Sequence, residues 1–467
     1  MRRVGKRPGD VRVRRGRRRT SIVDVVVQRR RQIRPRLWMV PSAFAVLILL
    51  GSLLLALPIS SESGDWTSGS VALFTSVSAI CVTGLVRVDT ADHWNAFGEV
   101  VIALLIHAGG LGVTMYAGAL LLVLGRRFGL RERQFFGIEL ADVAVRDVRV
   151  LLRRLLLFVV VVEGATFVLL LPWFLAEDGL RAGVWRAAFH AISAFNNAGF
   201  DLMGGGRSLS GQAGDAYPLL VMGVSAFLGS LSFVTVFNLR RVPRLWSLDT
   251  RLVVYGMVGL LLVGMLVVLG GELGSGRVLE GRGVLSALAS AFFLSVNRTT
   301  GMTTVDMSLL QDSTTVALLV LMFIGGASTS VAGGIKIGAF MVSVVVVAST
   351  LRGRHRPQAF GREIPQVIVL RAIAITMLGF ATHVAGTWLL ALTDGDVELL
   401  PLLFEAMSAL ANVGWSQGVT AQLSDEGAMV VVALMFLGRL GSLFVALSMP
   451  DRPEDVIRYP EASVRIG

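Results

Sequence analysis

The chain has 467 residues, is 54% hydrophobic and carries only 16% charged residues, whereas water-soluble globular domains carry about a quarter. A mean hydropathy of +0.70 and several apolar runs of bilayer-crossing length exclude a soluble fold and define an integral membrane protein. The single cysteine, Cys81, excludes a disulfide framework and a multi-cysteine metal site, and the net charge of +12 acquires meaning only from where the charges lie.

Residues 1–37 concentrate that charge in "MRRVGKRPGDVRVRRGRRRT" and "QRRRQIRPR". The stretch is too long and too arginine-rich for the start of a cleaved signal peptide, and no small-residue cleavage pattern follows it. It reads as a cytoplasmic, partly disordered arm that helps set topology and meets anionic lipid headgroups. No recognition module accompanies it, so nucleic acid is not an expected partner.

From residue 38 onward one grammar recurs: long apolar helix, short apolar helix, glycine-containing turn, long apolar helix. The first copy (38–125) has a span at about 37–59, a half-length helix at 70–80, the turn "CVTGL" and a span at 96–125. The second (126–240, including a cytoplasmic loop) has a span at 153–176, a short helix around "RAAFHAISAF", the turn "NNAGF" and a span at 217–239. The third (241–350) has a span at 251–271, the short helix "GVLSALASAFFLSV", the turn "NRTTGM" and a long segment at 313–349. The fourth (351–467, including the C-terminal tail) has a span at 368–391, "PLLFEAMSAL", the turn "ANVGW" and a span at 427–449. The turn glycines Gly84, Gly199, Gly301 and Gly414 thus recur at intervals of roughly a hundred residues. The expected fold is an all-α membrane protein of eight spans and four short pore helices, in four tandem repeats around a pseudo-fourfold axis. Arg-rich segments such as "RRFGLRERQ", "RRVPR" and "RGRHR" fall on one side, and the acidic or mixed "SSESGD", "TDGDVE" and "LSDEG" on the other. The positive-inside rule then places both termini in the cytoplasm and the turns toward the outside.

Irregular backbone survives at membrane depth only when protein buries it or when it lines a watery cavity. Four such turns around one axis meet both conditions, and their carbonyl oxygens could replace an ion's hydration shell. The neutral flanks "VTG", "NAG", "TTG" and "NVG" favour a site made of carbonyls over a ring of carboxylates. A glycine-rich chain could also use these residues as ordinary turns, but the fourfold recurrence after a half-length helix argues against that.

A second feature is "FIGGASTSVAGGIKIG" at 323–338. Its glycines favour a broken helix or loop midway through the bilayer, where it would obstruct a permeation path; the alternative is a packing surface of small residues. Lys336 closes the segment and is expected to reach toward water. Arg439, within the last span, is expected to face the pore below the turns and to contact the third-unit loop. Arg298, Glu163, Glu272 and Glu405 are lesser candidates, and His107 and His190 read as packing residues without metal-site spacing.

Together "TSVSAICVTGL", "HAGGLGVTMYAG", "SAFNNAGFDL", "SVNRTTGMTT", "IGGASTSVAGGIKI", "FEAMSALANVGWSQG", "FLGRLGS" and the ending "YPEASVRIG" resemble the Trk/Ktr/HKT superfamily of potassium-transport membrane subunits, most closely the bacterial Ktr type. The resemblance covers about residues 38–467. It implies a K+ selectivity filter at Val82, Thr83 and Gly84; Asn197, Ala198 and Gly199; Thr299, Thr300 and Gly301; and Val413 and Gly414, with Asn412 beside them. It implies that glycine rather than serine at position 84 favours K+ over Na+. It further implies a gate formed by Gly325, Gly326, Ala327, Ser328, Thr329, Ser330, Gly333, Gly334, Lys336 and Arg439. A homodimer with one pore per protomer and a separate cytoplasmic ring that binds adenine nucleotides follow from the same resemblance. The second unit's "FLGSLSFVTVFNL" departs from the family's more glycine-rich pattern there.

No Walker A or strand-bound GxGxxG pattern occurs, so no nucleotide or covalent cofactor is expected on this chain and ATP hydrolysis is not. The expected activity is K+ uptake across the bacterial cytoplasmic membrane through a gated, channel-like pore, with Na+ as a candidate activator. The competing readings are an ion-coupled K+ symporter and a membrane receptor or scaffold.

Overall fold

The computed structural model describes residues 39–123, 148–206, 208–212, 214–275, 278–279, 281–328, 330–354 and 356–448. The arm at 1–37, the whole of the 126–147 loop, and the C-terminal tail lie outside the described residues. Apart from one two-stranded hairpin, β1 (Gln358–Ala359) and β2 (Arg362–Glu363), the described chain is helical.

In chain order, α1 (Met39–Ala56) is followed by the short α2 (Gly69–Cys81) and by α3 (Ala96–Val123). Ser68 starts α2 by accepting the Val71 N–H on its hydroxyl, a standard cap for an otherwise unpaired donor. Next, α4 (Val148–Asn196) runs through both a long arm and a short arm, separated by Gly179 in the left-handed half of φ/ψ space (φ 75°). Thus the expected span and short helix exist as two arms of one element. The later elements are α5 (Ala216–Ser230), α6 (Phe233–Leu239), α7 (Leu248–Glu272), α8 (Val284–Asn297), α9 (Asp312–Phe323), α10 (Ile337–Leu351), α11 (Gln366–Thr393), α12 (Leu399–Ala411) and α13 (Asp425–Ser448).

Two long segments read from the sequence are broken. The one at 313–349 separates into α9 and α10 around 324–336, as its glycines lead one to expect. The one read as a single span at 217–239 instead bends by 101° between α5 and α6. Ser232 caps α6 by accepting the Val234 N–H, so a serine supplies locally what starts the new helix. By length and apolarity three described helices can cross a membrane (Arg153–Asn196, Leu248–Glu272 and Gln366–Thr393), or four if the bent pair is one crossing. The eight read from the sequence include helices that are shortened, bent or interrupted here, among them Pro41–Ala56, Asp312–Phe323 and Ile337–Leu351.

The short elements pack in a cycle. α2 lies against α3 and α13, α4 against α3 and α5, α8 against α5 and α7, and α12 against α9, α11 and α13. First and last parts of the chain therefore meet, and Phe44, Phe74, Ile102, Leu402 and Met435 share one core. At one end Arg87 pairs with Asp425 (2.8 Å) and donates to Ser70 Oγ (2.7 Å). Large apolar residues such as Leu53, Leu104, Leu266 and Leu392 lie exposed on the outside, the surface a lipid-facing bundle requires. The fold is that of an all-α, multi-span membrane protein.

Phe74 is fully buried in α2, whereas Leu53 is 66% exposed. Phe74→Ala is expected to cost about 3–5 kcal/mol and to lower the thermal midpoint in detergent. Leu53→Ala is expected to stay within about 0.5 kcal/mol of the native protein in the same melt.

Candidate functional site

Each short helical segment ends just before one of the four glycine turns: α2 at Cys81, α4 at Asn196, α8 at Asn297 and α12 at Ala411. The last carbonyls of a helix lack intrahelical donors, and three of the turns supply them through the same paired closure. Val82 N–H donates to Ala79 O (3.1 Å) and Thr83 N–H to Ser78 O (2.8 Å); Asn197 and Ala198 bond to Ala194 O and Ser193 O; Asn412 and Val413 bond to Ala409 O and Ser408 O. The first residue of each closure is left-handed: Val82 at φ 56°, Asn197 at 57° and Asn412 at 50°. Asparagine tolerates this region, whereas a β-branched valine does so at a cost. The third turn differs, because Arg298 stays right-handed (φ −55°, ψ −8°) and Thr300 and Gly301 both donate to Asn297 O.

All four glycines have positive φ, from 77° to 104°, and they close on one another. A Cβ on Gly84 would lie 2.5 Å from Ala198 O and 2.8 Å from Gly199 Cα. Cβ atoms on Gly199, Gly301 and Gly414 would strike Thr300 O, Val413 O and Thr83 O respectively. The order is therefore Gly84, Gly199, Gly301, Gly414 and back to Gly84, each against the backbone of the next turn. Thr83 O, Ala198 O, Thr300 O and Val413 O belong to the residues just before the glycines. Residues drawn from four distant parts of the chain thus form one closed backbone ring. The helix ends that lead into it present the negative end of their dipoles, a field that favours a cation.

The segment 324–336 packs against this ring. A Cβ on Gly333 would strike Ala411 O and come within 2.6 Å of Asn412 Cβ. The segment pairs with itself, Gly325 N–H donating to Ile335 O (2.8 Å) and Ile337 N–H to Gly326 O (3.0 Å). It also rests on the bend between α5 and α6: Ala327 N–H donates to Ser230 O (2.9 Å) and Val331 N–H to Gly229 O (3.3 Å). The bend frees carbonyls from helical bonding, and the loop uses them. Arg439 holds the other side by donating to Val331 O (2.5 Å) and to Gly109 O (2.7 Å). Of the residues read as gate-forming, Gly325, Gly326, Ala327, Ser330, Gly333 and Gly334 lie in this segment, Ser328 is exposed, and Thr329 lies outside the described residues. The Lys336 ammonium is partly buried and donates to Ala332 O (2.6 Å), so it closes the base of the loop rather than simply reaching for water.

The lesser candidates take other places. Arg298 is buried and donates to Ile324 O, where the loop begins. Glu405 accepts from Ser416 and Thr420 beyond the fourth turn, Glu272 accepts from Gln311 N–H, and Glu163 accepts from Asn196 and faces His107. His190 packs between Phe174 and Phe189 and bonds to Arg186 O. No group of three or more potential metal-ligating side chains occurs among the described residues. Sequence reasoning missed Gly109, Gly229 and Gly438, where a Cβ would strike Ile80 O, Phe195 O and Leu410 O at the ends of the short helices. Their signal is the recurring glycine in "HAGG", "FLGS", "FIGG" and "FLGR", whose last residues place Gly110, Ser230, Gly326 and Arg439 in equivalent positions.

A family model described as TrkH, cation transport protein, matches residues 29–241 and 245–456. The chain is 33% identical over 428 residues to the Ktr system potassium uptake protein B of Bacillus subtilis, covering 91% of this chain and 95% of that protein. It is 32% identical over 453 residues to the potassium/sodium uptake protein NtpJ of Enterococcus hirae, covering 94% and 99%. The solved structure of the potassium transporter TrkH from Vibrio parahaemolyticus has the same fold, with a TM-score of 0.64 at 20% identity, covering 87% of this chain and 84% of that one. The chain belongs to the Trk/Ktr/HKT superfamily of cation transport proteins, among the bacterial Ktr/Trk-type subunits. It is a transport protein and not an enzyme.

Ser78 Oγ accepts from Gly84 N–H (3.1 Å), and Ser408 Oγ accepts from Gly414 N–H (3.0 Å). Ser78→Ala leaves a buried N–H without its partner and is expected to cost about 1–3 kcal/mol, whereas Ser408→Ala leaves a half-buried one and is expected to cost about 1 kcal/mol, both measured as a lower thermal midpoint in detergent.

Proposed function

We propose that this chain carries out K+ uptake across the bacterial cytoplasmic membrane through a gated, channel-like pore. The observation that carries this reading is the closed ring of four glycine turns with Thr83 O, Ala198 O, Thr300 O and Val413 O at neighbouring positions. Carbonyls of this kind can replace water around a K+ ion, and four helix C-termini supply the favourable field. The names of the Bacillus and Enterococcus relatives, which specify potassium and potassium/sodium, support the choice of ion. In this reading the chain is four pore repeats with eight crossings, and the short elements are re-entrant pore helices.

The segment 324–336 acts as the gate. It packs beneath the fourth turn, and Arg439 pins it there through Val331 O. An intramembrane guanidinium on the path also repels a passing cation in a low-dielectric setting. Opening then requires the loop to leave the Gly229 and Ser230 carbonyls and Arg439 to exchange its partner. The proposal extends to both termini in the cytoplasm, a homodimer with one pore per protomer, stimulation by Na+, and control by a separate cytoplasmic ring that binds adenine nucleotides; the family resemblance supports these.

In proteoliposomes, the purified protein is expected to take up Rb+ in competition with K+ and without obligatory H+ or Na+ movement. Compulsory co-movement would instead identify an ion-coupled symporter, and no flux from folded protein with or without its regulatory partner would sink both readings. Gly84→Ser is expected to lower K+ over Na+ discrimination by about ten-fold, the scale of one charge-assisted contact, while the protein stays folded. Arg439→Gln is expected to raise Rb+ leak in the resting state by about ten-fold for the same reason; unchanged resting leak would remove Arg439 from the gate.

A further inference from the structure

The ring carbonyls belong to the backbone, but side chains tie the turns together, and they do so unequally. Asn412 of the fourth turn donates from Nδ2 to Thr83 Oγ1 of the first (3.0 Å) and to Met435 O of α13 (2.9 Å). Asn197 of the second turn accepts on Oδ1 from both Thr299 Oγ1 (2.9 Å) and Thr300 Oγ1 (2.8 Å) of the third. Its Nδ2 donates to Phe195 O and Ala226 O, so the amide is saturated. Both asparagines stand two residues before their glycine in the left-handed region, and both are fully buried. In each case an even-numbered turn reaches the threonine hydroxyls of the turn that follows it around the ring. The junction of third and fourth turns is crossed farther along, where Trp415 Nε1 donates to Met302 O (3.2 Å). At the junction of first and second turns, Val82, Leu85, Ala198 and Phe200 offer no polar side chain, and the Thr83 hydroxyl and Asn197 amide are engaged elsewhere.

We propose that Asn412 and Asn197 are positioning residues that staple the turns in pairs, first with fourth and second with third, and that K+ over Na+ discrimination depends on both staples. This rests on the reading of the turns as the filter. A carbonyl site selects between ions by how many oxygens it presents and how strongly it holds them, so the threonine hydroxyls act on the ion through the backbone they anchor. The first–second junction has no side-chain hydrogen bond at the turns themselves: there it is held by the contact of Gly84 with Ala198 and Gly199, and farther along by Gly205 and Gly206 N–H donating to Asp92 Oδ2 (2.9 Å) and Asp89 Oδ2 (2.6 Å). A side chain at position 84 therefore pushes on the ring where no side-chain hydrogen bond ties the two turns directly.

The test compares Rb+ uptake under Na+ competition in proteoliposomes, with folding checked by monodispersity and thermal midpoint. Thr83→Val is expected to lower the K+ over Na+ preference by about five-fold, the scale of one buried hydrogen bond. Thr83→Ser, which keeps the hydroxyl, is expected to restore most of it. Adding Asn412→Leu to Thr83→Val is expected to lower the preference by less than the product of the two single losses, because both remove the shared bond, the remainder reporting Asn412's bond to Met435 O. Adding Thr299→Val and Thr300→Val is expected to multiply the loss, because they remove the other staple. If Thr83→Val does not fold, the Thr299→Val, Thr300→Val protein carries the same test alone. Equal effects of Thr83→Val and Thr83→Ser would overturn the proposal, as would unchanged selectivity in all of these variants while Gly84→Ser alters it. If Gly84→Ser is silent as well, the filter reading itself fails.

Discussion

Everything else in this molecule is arranged around the contact of four glycine Cα atoms with the backbone of the neighbouring turn. No side chain fits between Gly84 and Ala198 O, or at the three equivalent contacts, so the ring can close only as bare backbone. Bare backbone at membrane depth needs its polar groups satisfied from within the protein. The short helices exist to end there, and their final carbonyls are taken by the turn's own N–H groups. Gly109, Gly229 and Gly438 let the long helices approach those same ends. The strain of Val82 at φ 56° is tolerated because the surrounding closure leaves it no alternative.

The same requirement shapes the segment beside the ring. A broken helix exposes amides and carbonyls, and two breaks satisfy one another: α5 stops at Ser230, α9 stops at Phe323, and the amides of Ala327 and Val331 bond to the carbonyls left at 229 and 230. Arg439 completes the arrangement from the opposite side. The segment is thus held by a few hydrogen bonds between helices. Its release, which the proposed gating requires, would not need the bundle that carries the ring to unfold.

Much of this was legible in the sequence where the signal is local. The half-length helices, the glycine after each, and the glycine-rich break at 325–334 follow from apolar run lengths and from residues that cannot continue a helix. Membership of a family with the TrkH fold agrees with the all-α, multi-span reading. What was not legible depends on groups far apart in the chain. The bend at Leu231–Ser232 lies more than ten residues from Pro218, the proline of its apolar stretch, and it is stabilised by a loop almost a hundred residues further on. The pairing of Asn412 with Thr83 joins opposite ends of the chain, and neither residue type announces its partner. Lys336 likewise looks like a residue bound for water until the carbonyl of Ala332 is placed beside it.

The central claim is that the ring of turns holds a dehydrated cation on its carbonyls. Crystals of the protein grown in Rb+ allow that claim to be read from anomalous scattering. The account expects a peak on the axis of the ring, within coordination distance of Thr83 O, Ala198 O, Thr300 O and Val413 O, that weakens when K+ replaces Rb+. Rb+ bound only elsewhere, with the ring intact and empty of it, would contradict the account.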